Sequence, residues 1–258
     1  MSLTGKVALV TGGGTGIGKA ISEVLARNGA RVAVASRNRA HLESASEALR
    51  ALGYQLLPIQ MDVRKKDEVQ RAVAQVAQGW GSIDILVNNA GLSGMTRIDD
   101  PDDRGWYDIL ETNLTGIYLV TREVLKVMKE QAQGRIINIS SVLGKFGVPG
   151  YSAYCASKHG VIGFTRALAL EVVQRGITVN AICPGWVDTD MARLGMKECA
   201  AYLGTTVAEF ERQAIGAVPI QRFVEAEEVA QLVLYLATDK ASGITGQAIN
   251  ICGGQTMV

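Results

Sequence analysis

Three features of the 258-residue sequence predict an α/β fold, a parallel β-sheet doubly wound with helices on both faces. Short, largely β-branched apolar runs alternate with longer amphipathic stretches, the pattern of repeated strand–helix–strand units. A glycine-rich turn sits at the first strand–helix junction. Hydrophobic residues make up 48% of the chain, yet no uninterrupted apolar run approaches the roughly 20 residues of a membrane helix. The apolar excess therefore belongs in a core, as in strands buried on both faces.

Residues 7–10, Val-Ala-Leu-Val, read as the first strand. The helical period over 17–28 ends at Gly29, a residue suited to the left-handed turn that stops a helix. Residues 31–35 form the second strand and 39–52 the second helix, stopped by Gly53. Strand 55–60 leads to a polar helix over 65–77, and 83–87 is the fourth strand. A long helix spans 106–131, followed by strand 135–139. The helix at 154–174 stops at Gly176 before strand 178–182. The last helix, 227–237, precedes strand Ala248–Ile251. Crossovers in such units are right-handed. No linker, repeat or composition break divides the chain, so residues 1–258 read as one domain. Residues 188–216 carry no strand signal; an excursion of this length reads as a substrate lid, with room for short helices of its own.

Composition excludes several classes. Lys and Arg number 26 against 25 Asp and Glu, a net charge of +1 that fits neither disorder nor binding through phosphate neutralisation. The four cysteines, Cys155, Cys183, Cys199 and Cys252, form no C-x-x-C pair and no zinc spacing. His41 and His159 are the only histidines, which leaves little for a metal site or a Ser-His-Asp triad. The N-terminus runs from Met1 into the first strand without room for a signal peptide. The expectation is a reduced, cytoplasmic protein with no metal, membrane or nucleic-acid partner.

The turn reads Thr11-Gly12-Gly13-Gly14-Thr15-Gly16-Ile17-Gly18. Glycines let the backbone approach a pyrophosphate, and the new helix offers unpaired N–H groups and its positive dipole end. Gly12, Gly14, Thr15, Gly16, Ile17 and Gly18 are thus candidate phosphate contacts. At the end of the second strand, a carboxylate would hold an adenosine 2′-hydroxyl. Ser36-Arg37 stands there instead, and a hydroxyl with a forked guanidinium suits a 2′-phosphate, so the cofactor is NADP(H). After the third strand, Asp62 can accept from the adenine amino group while Val63 packs on the ring. The same Asp62 also fits a helix N-cap.

Tyr154 and Lys158 lie four apart on one helix and share a face. An ammonium beside a phenol favours the phenolate and draws its pKa toward neutrality, making Tyr154 a candidate general acid. Ser140 and Ser141 follow the strand 135–139, where open α/β sheets place their sites.

These pieces resemble the short-chain dehydrogenase/reductase family over essentially the whole chain. The matching residues are Thr11-Gly12-x-x-x-Gly16-Ile17-Gly18, Asn88-Asn89-Ala90-Gly91, Asn113, Ser141 with Tyr154 and Lys158, and Pro184-Gly185-Trp186-Val187-Asp188-Thr189. The resemblance implies a Rossmann sheet of seven strands in the order 3-2-1-4-5-6-7. It implies a catalytic set of Asn113, Ser141, Tyr154 and Lys158. Tyr154 is then the acid/base, Lys158 the nicotinamide-ribose ligand, Ser141 the carbonyl ligand and Asn113 the support of a water-linked proton relay. Asn89, Ala90 and Gly91 fall on the adenosine side, and Pro184, Gly185, Val187 and Thr189 at the nicotinamide carboxamide. The resemblance implies a homo-oligomer, a tetramer in most relatives and a dimer in many, and the helices over 106–131 and 154–174 carry apolar residues on several faces.

Among subgroups the chain is most similar to NADP(H)-dependent 3-oxoacyl-thioester and polyketide ketoreductases. It shares with some of the latter the ending Asn250-Ile251-Cys252-Gly253-Gly254, and a basic Arg175 with carrier-protein-dependent members. The loop at 130–133 lacks a second basic cluster, so coenzyme A thioesters and free ketones stand beside a carrier-bound substrate. The same motifs also fit a secondary-alcohol, polyol or hydroxysteroid-type dehydrogenase. The apolar lid, with Met191, Leu194, Met196, Tyr202, Leu203 and Phe210, favours the ketoreductase. A third reading, a non-catalytic dinucleotide-binding regulator, sits poorly with the intact catalytic set.

Overall fold

The computed structural model describes residues 2–54 and 56–258; Met1, and Gln55 at the start of the expected third strand, lie outside the described residues. Strands and helices alternate as β1 (Val7–Thr11), α1 (Gly16–Arg27), β2 (Arg31–Ser36), α2 (Arg39–Ala51), β3 (Leu56–Gln60), α3 (Lys66–Trp80) and β4 (Ile85–Asn88). The second half continues with α4 (Arg104–Leu110), α5 (Gly116–Gln131), β5 (Gly134–Ile139), α6 (Ser152–Val172) and β6 (Ile177–Pro184). Helices α7 (Asp190–Leu203), α8 (Val207–Gly216) and α9 (Ala226–Ala237) precede β7 (Ala248–Ile251).

The seven strands form one parallel sheet in the order β3-β2-β1-β4-β5-β6-β7. Every connection carries helix, which is what a parallel pairing needs. The period of two along β1 sorts its side chains. Ala8 and Val10 face α1, α2 and α9, while Val7 and Leu9 face α3, α5 and α6. Both faces are therefore apolar, and all of β1 is buried. The strand order reverses between β1 and β4, and a crevice opens beyond the carboxyl ends of the strands at such a switch point.

One stretch differs from the sequence expectation. The single helix over 106–131 is interrupted by a π-helical turn, Glu111–Thr115. Gly116, just after it, lies so close to Val63 that a Cβ there would stand 2.7 Å from Val63 Cγ2. The turn answers to that tertiary contact rather than to helix propensity. Residues 188–216 hold two helices, the second started by a capping box between Thr206 and Glu209. Among the described residues, no helix is long and apolar enough to cross a membrane.

Candidate active site

The glycine turn is shaped by close contacts. Gly12 and Gly16 adopt φ of +64° and +49°, the left-handed region. A Cβ on Gly12 would stand 2.9 Å from Ala90 Cα, and one on Gly18 would stand 2.2 Å from the Gly12 carbonyl oxygen. Asn89 fastens the turn, its Nδ2 donating to the carbonyls of Thr11 at 3.1 Å and Gly12 at 3.0 Å. Thr11 Oγ1 in turn accepts from the backbone N–H groups of Asn89 and Ala90. Thr15 caps α1 without a side-chain hydrogen bond, so the first N–H groups of the helix are left for a ligand. This cradle fits a pyrophosphate. Gly18→Ala is expected to weaken nucleotide binding about fivefold or more, since an overpacked methyl costs about 1–3 kcal/mol; calorimetric titration checks it.

Gly14 is a correction. It does not line the cleft; a Cβ there would meet His41 Cβ and the His41 carbonyl oxygen at 2.9 Å, so Gly14 serves the packing of the turn against α2.

Ser36 and Arg37 line the cleft at the end of β2. Arg39 pairs with Glu43 at 2.8 Å, and Arg64 with Asp62 at 2.8 Å and Asp108 at 2.9 Å, whereas Arg37 forms no ion pair among the described residues. It is the cation available at this end. Asp62 is a second correction. Both its oxygens are taken by Arg64, which donates from its backbone N–H, Nε and Nη2 at 2.8–3.1 Å. Burial raises the Asp62 carboxyl, but the Arg64 hydrogen bonds and charge outweigh it and hold the group below its ordinary value. Asp62 does not line the cleft and does not cap α3, whose N-cap is Lys65; Met61 and Val63 present the apolar wall instead.

At the opposite end, Ser141, Tyr154 and Lys158 meet. Ser140 and Ser141 divide their work. Ser140 Oγ donates to the Lys158 carbonyl at 3.0 Å and so braces α6. Ser141 Oγ accepts from Leu143 N at 3.1 Å, which leaves its own proton to donate into the cleft. Lys158 Nζ donates to the Ile139 carbonyl at 2.9 Å and stands 5.5 Å from the centre of the Tyr154 ring. Asn113 lies outside the lining of the cleft. It is buried in the π turn, exchanging hydrogen bonds with the Leu92 backbone and donating to Ser157 Oγ at 3.1 Å.

The electrostatics reverse one expectation. Burial, not the Lys158 ammonium, dominates at Tyr154 and pushes the phenol up to about 12, with the Ser141 hydroxyl opposing. Burial also pulls the Lys158 ammonium down to about 8. The phenol is therefore protonated at neutral pH. Lys158 releases its proton in the folded chain at lower pH than its ordinary 10.5. Between those values the unfolded chain binds more protons, so this group's contribution to stability rises with pH and is least favourable below about 8. Lys158→Met is accordingly expected to stabilise the free protein by about 1–3 kcal/mol at pH 7, with the gain fading towards pH 10.5. Thermal melts across that range check it; a variant that melts below wild type at pH 7 contradicts it.

The turn, the β2 end and the reacting groups line one cleft of about 1030 Å³. Pro184, Gly185, Val187 and Thr189 line it too, as do Asn89, Ala90 and Gly91. Met95, Val148, Met191, Leu203 and Phe210 give the open end an apolar wall. Tyr151 joins α6 to the lid, its hydroxyl lying 3.3–3.4 Å from the Gly195 carbonyl, Glu198 and Cys199 Sγ. Sequence reasoning missed this role, and that of Thr11, because each depends on contacts between distant segments.

A family model described as short chain dehydrogenase matches residues 6–199. The 3-oxoacyl-(acyl-carrier-protein) reductase FabG of Haemophilus influenzae is 40% identical over 253 residues, covering 98% of each chain. A crystal structure of a single-substitution variant of actinorhodin polyketide ketoreductase with NADPH superposes with a TM-score of 0.95, at 43% identity and over 99% of each chain. An NAD+-bound xylitol dehydrogenase superposes with a TM-score of 0.94, at 33% identity, over 98% of this chain and all of its own.

Proposed function

The chain belongs to the short-chain dehydrogenase family, and from that premise we propose that it is an NADP(H)-dependent ketoreductase acting on a 3-oxoacyl thioester or related ketone. The observation that carries this reading is the meeting of Ser141, Tyr154 and Lys158 in the cleft that begins at the glycine turn. The free Arg37 supports NADP(H), and the apolar lid supports an acyl chain over a polyol.

NADPH, when bound, supplies a hydride to the carbonyl carbon. Ser141 holds the carbonyl oxygen by donating a hydrogen bond to it. Tyr154 donates the phenolic proton to the oxygen as its negative charge develops. A phenol raised to about 12 is the protonated form that reduction needs. Lys158, buried behind the ring, would hold the nicotinamide ribose and, as a cation, stabilises the phenolate left by proton transfer. Asn113 supports the path by which water returns a proton. Its fully bonded side chain fixes the π turn, and the shifted ladder of a π turn is a common feature of functional sites.

A substrate panel followed by NADPH absorbance tests this function. Turnover of 3-oxoacyl thioesters or hydrophobic ketones supports it, and turnover confined to polyols with NAD+ contradicts it. The assembly proposed is a homotetramer. On α5 and α6, Tyr118 and Leu170 are exposed large apolar residues, 45% and 81% accessible, in line with a face covered by another copy. Light scattering at micromolar concentration is expected to show four chains; a monomer would overturn this.

A further inference from the structure

Tyr151 is the N-cap of α6, three residues before Tyr154. It is buried, it lines the cleft, and its hydroxyl reaches α7 in the lid. The Glu198 carboxylate lies 3.3 Å from that hydroxyl, and the Gly195 carbonyl and Cys199 Sγ each lie 3.4 Å from it. Among the described residues, these are the only side-chain hydrogen bonds that join α7 to an element outside residues 188–216.

A phenol has one proton to give. Burial, and after it the neighbouring Cys199 and Glu198, hold the Tyr151 phenol above its ordinary value, so it keeps that proton. The Gly195 carbonyl already serves the N–H four residues on in its own helix, and a thiol accepts weakly. Glu198 forms no ion pair and receives no other hydrogen bond among the described residues, so its carboxylate is the acceptor. The start of α6 does not need this bond. Thr96 clamps it separately, its Oγ1 accepting from Ala153 N at 3.1 Å and its carbonyl from Ser152 Oγ at 2.7 Å. What the Tyr151 hydroxyl fixes is α7. Gly195, Cys199, Tyr202 and Leu203 present one face of that helix to the cleft, whereas Glu198 does not line it.

We propose that the Tyr151–Glu198 bond latches the lid and sets the preference for acyl length, by holding the cleft-facing side of α7 against the chain that follows the reacting carbonyl. This rests on the ketoreductase reading above. Tyr151 and Glu198 are positioning residues, and neither acts on the carbonyl. With the latch made, each methylene laid against the apolar wall raises kcat/KM about fourfold.

The test pairs two readouts on wild type, Tyr151→Phe, Glu198→Ala and Glu198→Gln. One is kcat/KM for a homologous series of thioesters from 3-oxobutanoyl to 3-oxododecanoyl. The other, which needs no substrate, is amide hydrogen exchange over α7. Tyr151→Phe and Glu198→Ala are expected to speed that exchange about three- to tenfold, the range of one hydrogen bond. Both are expected to cut the gain per methylene to about twofold or less, chiefly through KM. Glu198→Gln keeps an acceptor and is expected to match wild type in both readouts. The double variant Tyr151→Phe/Glu198→Ala is expected to lose no more than Tyr151→Phe alone. Unchanged exchange over α7 overturns the latch. Faster exchange with an unchanged gain per methylene, or a wild type indifferent to acyl length, overturns its part in acyl preference. So does an equal loss of kcat on every thioester, the mark of a hydroxyl that acts on the carbonyl or on Tyr154. A wild type that reduces none of the thioesters sinks the ketoreductase reading and acyl preference with it, while hydrogen exchange still decides the latch. Thermal melts show that each variant is folded.

Discussion

Tyr154→Phe is expected to lower kcat for ketone reduction by about 10²–10⁴-fold, the usual worth of a positioned general acid. The substitution removes one hydroxyl and leaves the ring in place over Lys158. NADPH binding is expected to survive, because the phosphate cradle around Gly12 and Gly18 lies at the far end of the cleft. Ser141→Ala is expected to reduce kcat as well, and by more than Ser140→Ala. The Ser140 hydroxyl already donates to the Lys158 carbonyl, while that of Ser141 is available to substrate. Should these side chains only pack, activity and melting temperature would fall together in all three variants. Turnover and melts on the same preparations separate the outcomes.

Arg37→Ala is expected to weaken NADPH about ten- to a hundredfold, the range of a charged hydrogen bond at about 1.5–3 kcal/mol, with little change for NADH. The size of the effect follows from what surrounds Arg37. Arg39 and Arg64 are held by Glu43, Asp62 and Asp108, so neither readily takes over a 2′-phosphate. Fluorescence titration with both cofactors checks it. Equal affinities for NADPH and NADH in wild type would contradict the assignment.

The sheet was legible because its information is local. The apolar runs, their glycine stops and the helical periods between them place every strand within about two residues, as expected of strongly periodic segments. The glycine turn was legible for the same reason: strand, turn and helix start are contiguous. What escaped the sequence lies in side-chain contacts that periodicity does not show. Asp62 looks like an adenine ligand or a cap until Arg64, two residues on, is seen to occupy both its oxygens. Gly14 looks like a phosphate glycine until α2 is packed against it. The π turn at Glu111–Thr115 is invisible in composition, although Gly116 within a helical run was a signal of close approach. The pKa of Tyr154 escaped because pair spacing shows the ammonium but not the burial, which is the larger influence.

The most direct measurement is the stoichiometry of a single reaction. Purified wild type is mixed with NADPH and a 3-oxoacyl thioester, and both NADPH loss and the acyl product are quantified. The expected result is one 3-hydroxyacyl thioester formed per NADPH oxidised, at a rate that collapses in Tyr154→Phe. A folded wild type that binds NADPH yet reduces neither the thioester nor any ketone of the panel, or a Tyr154→Phe variant with near wild-type turnover, would contradict it.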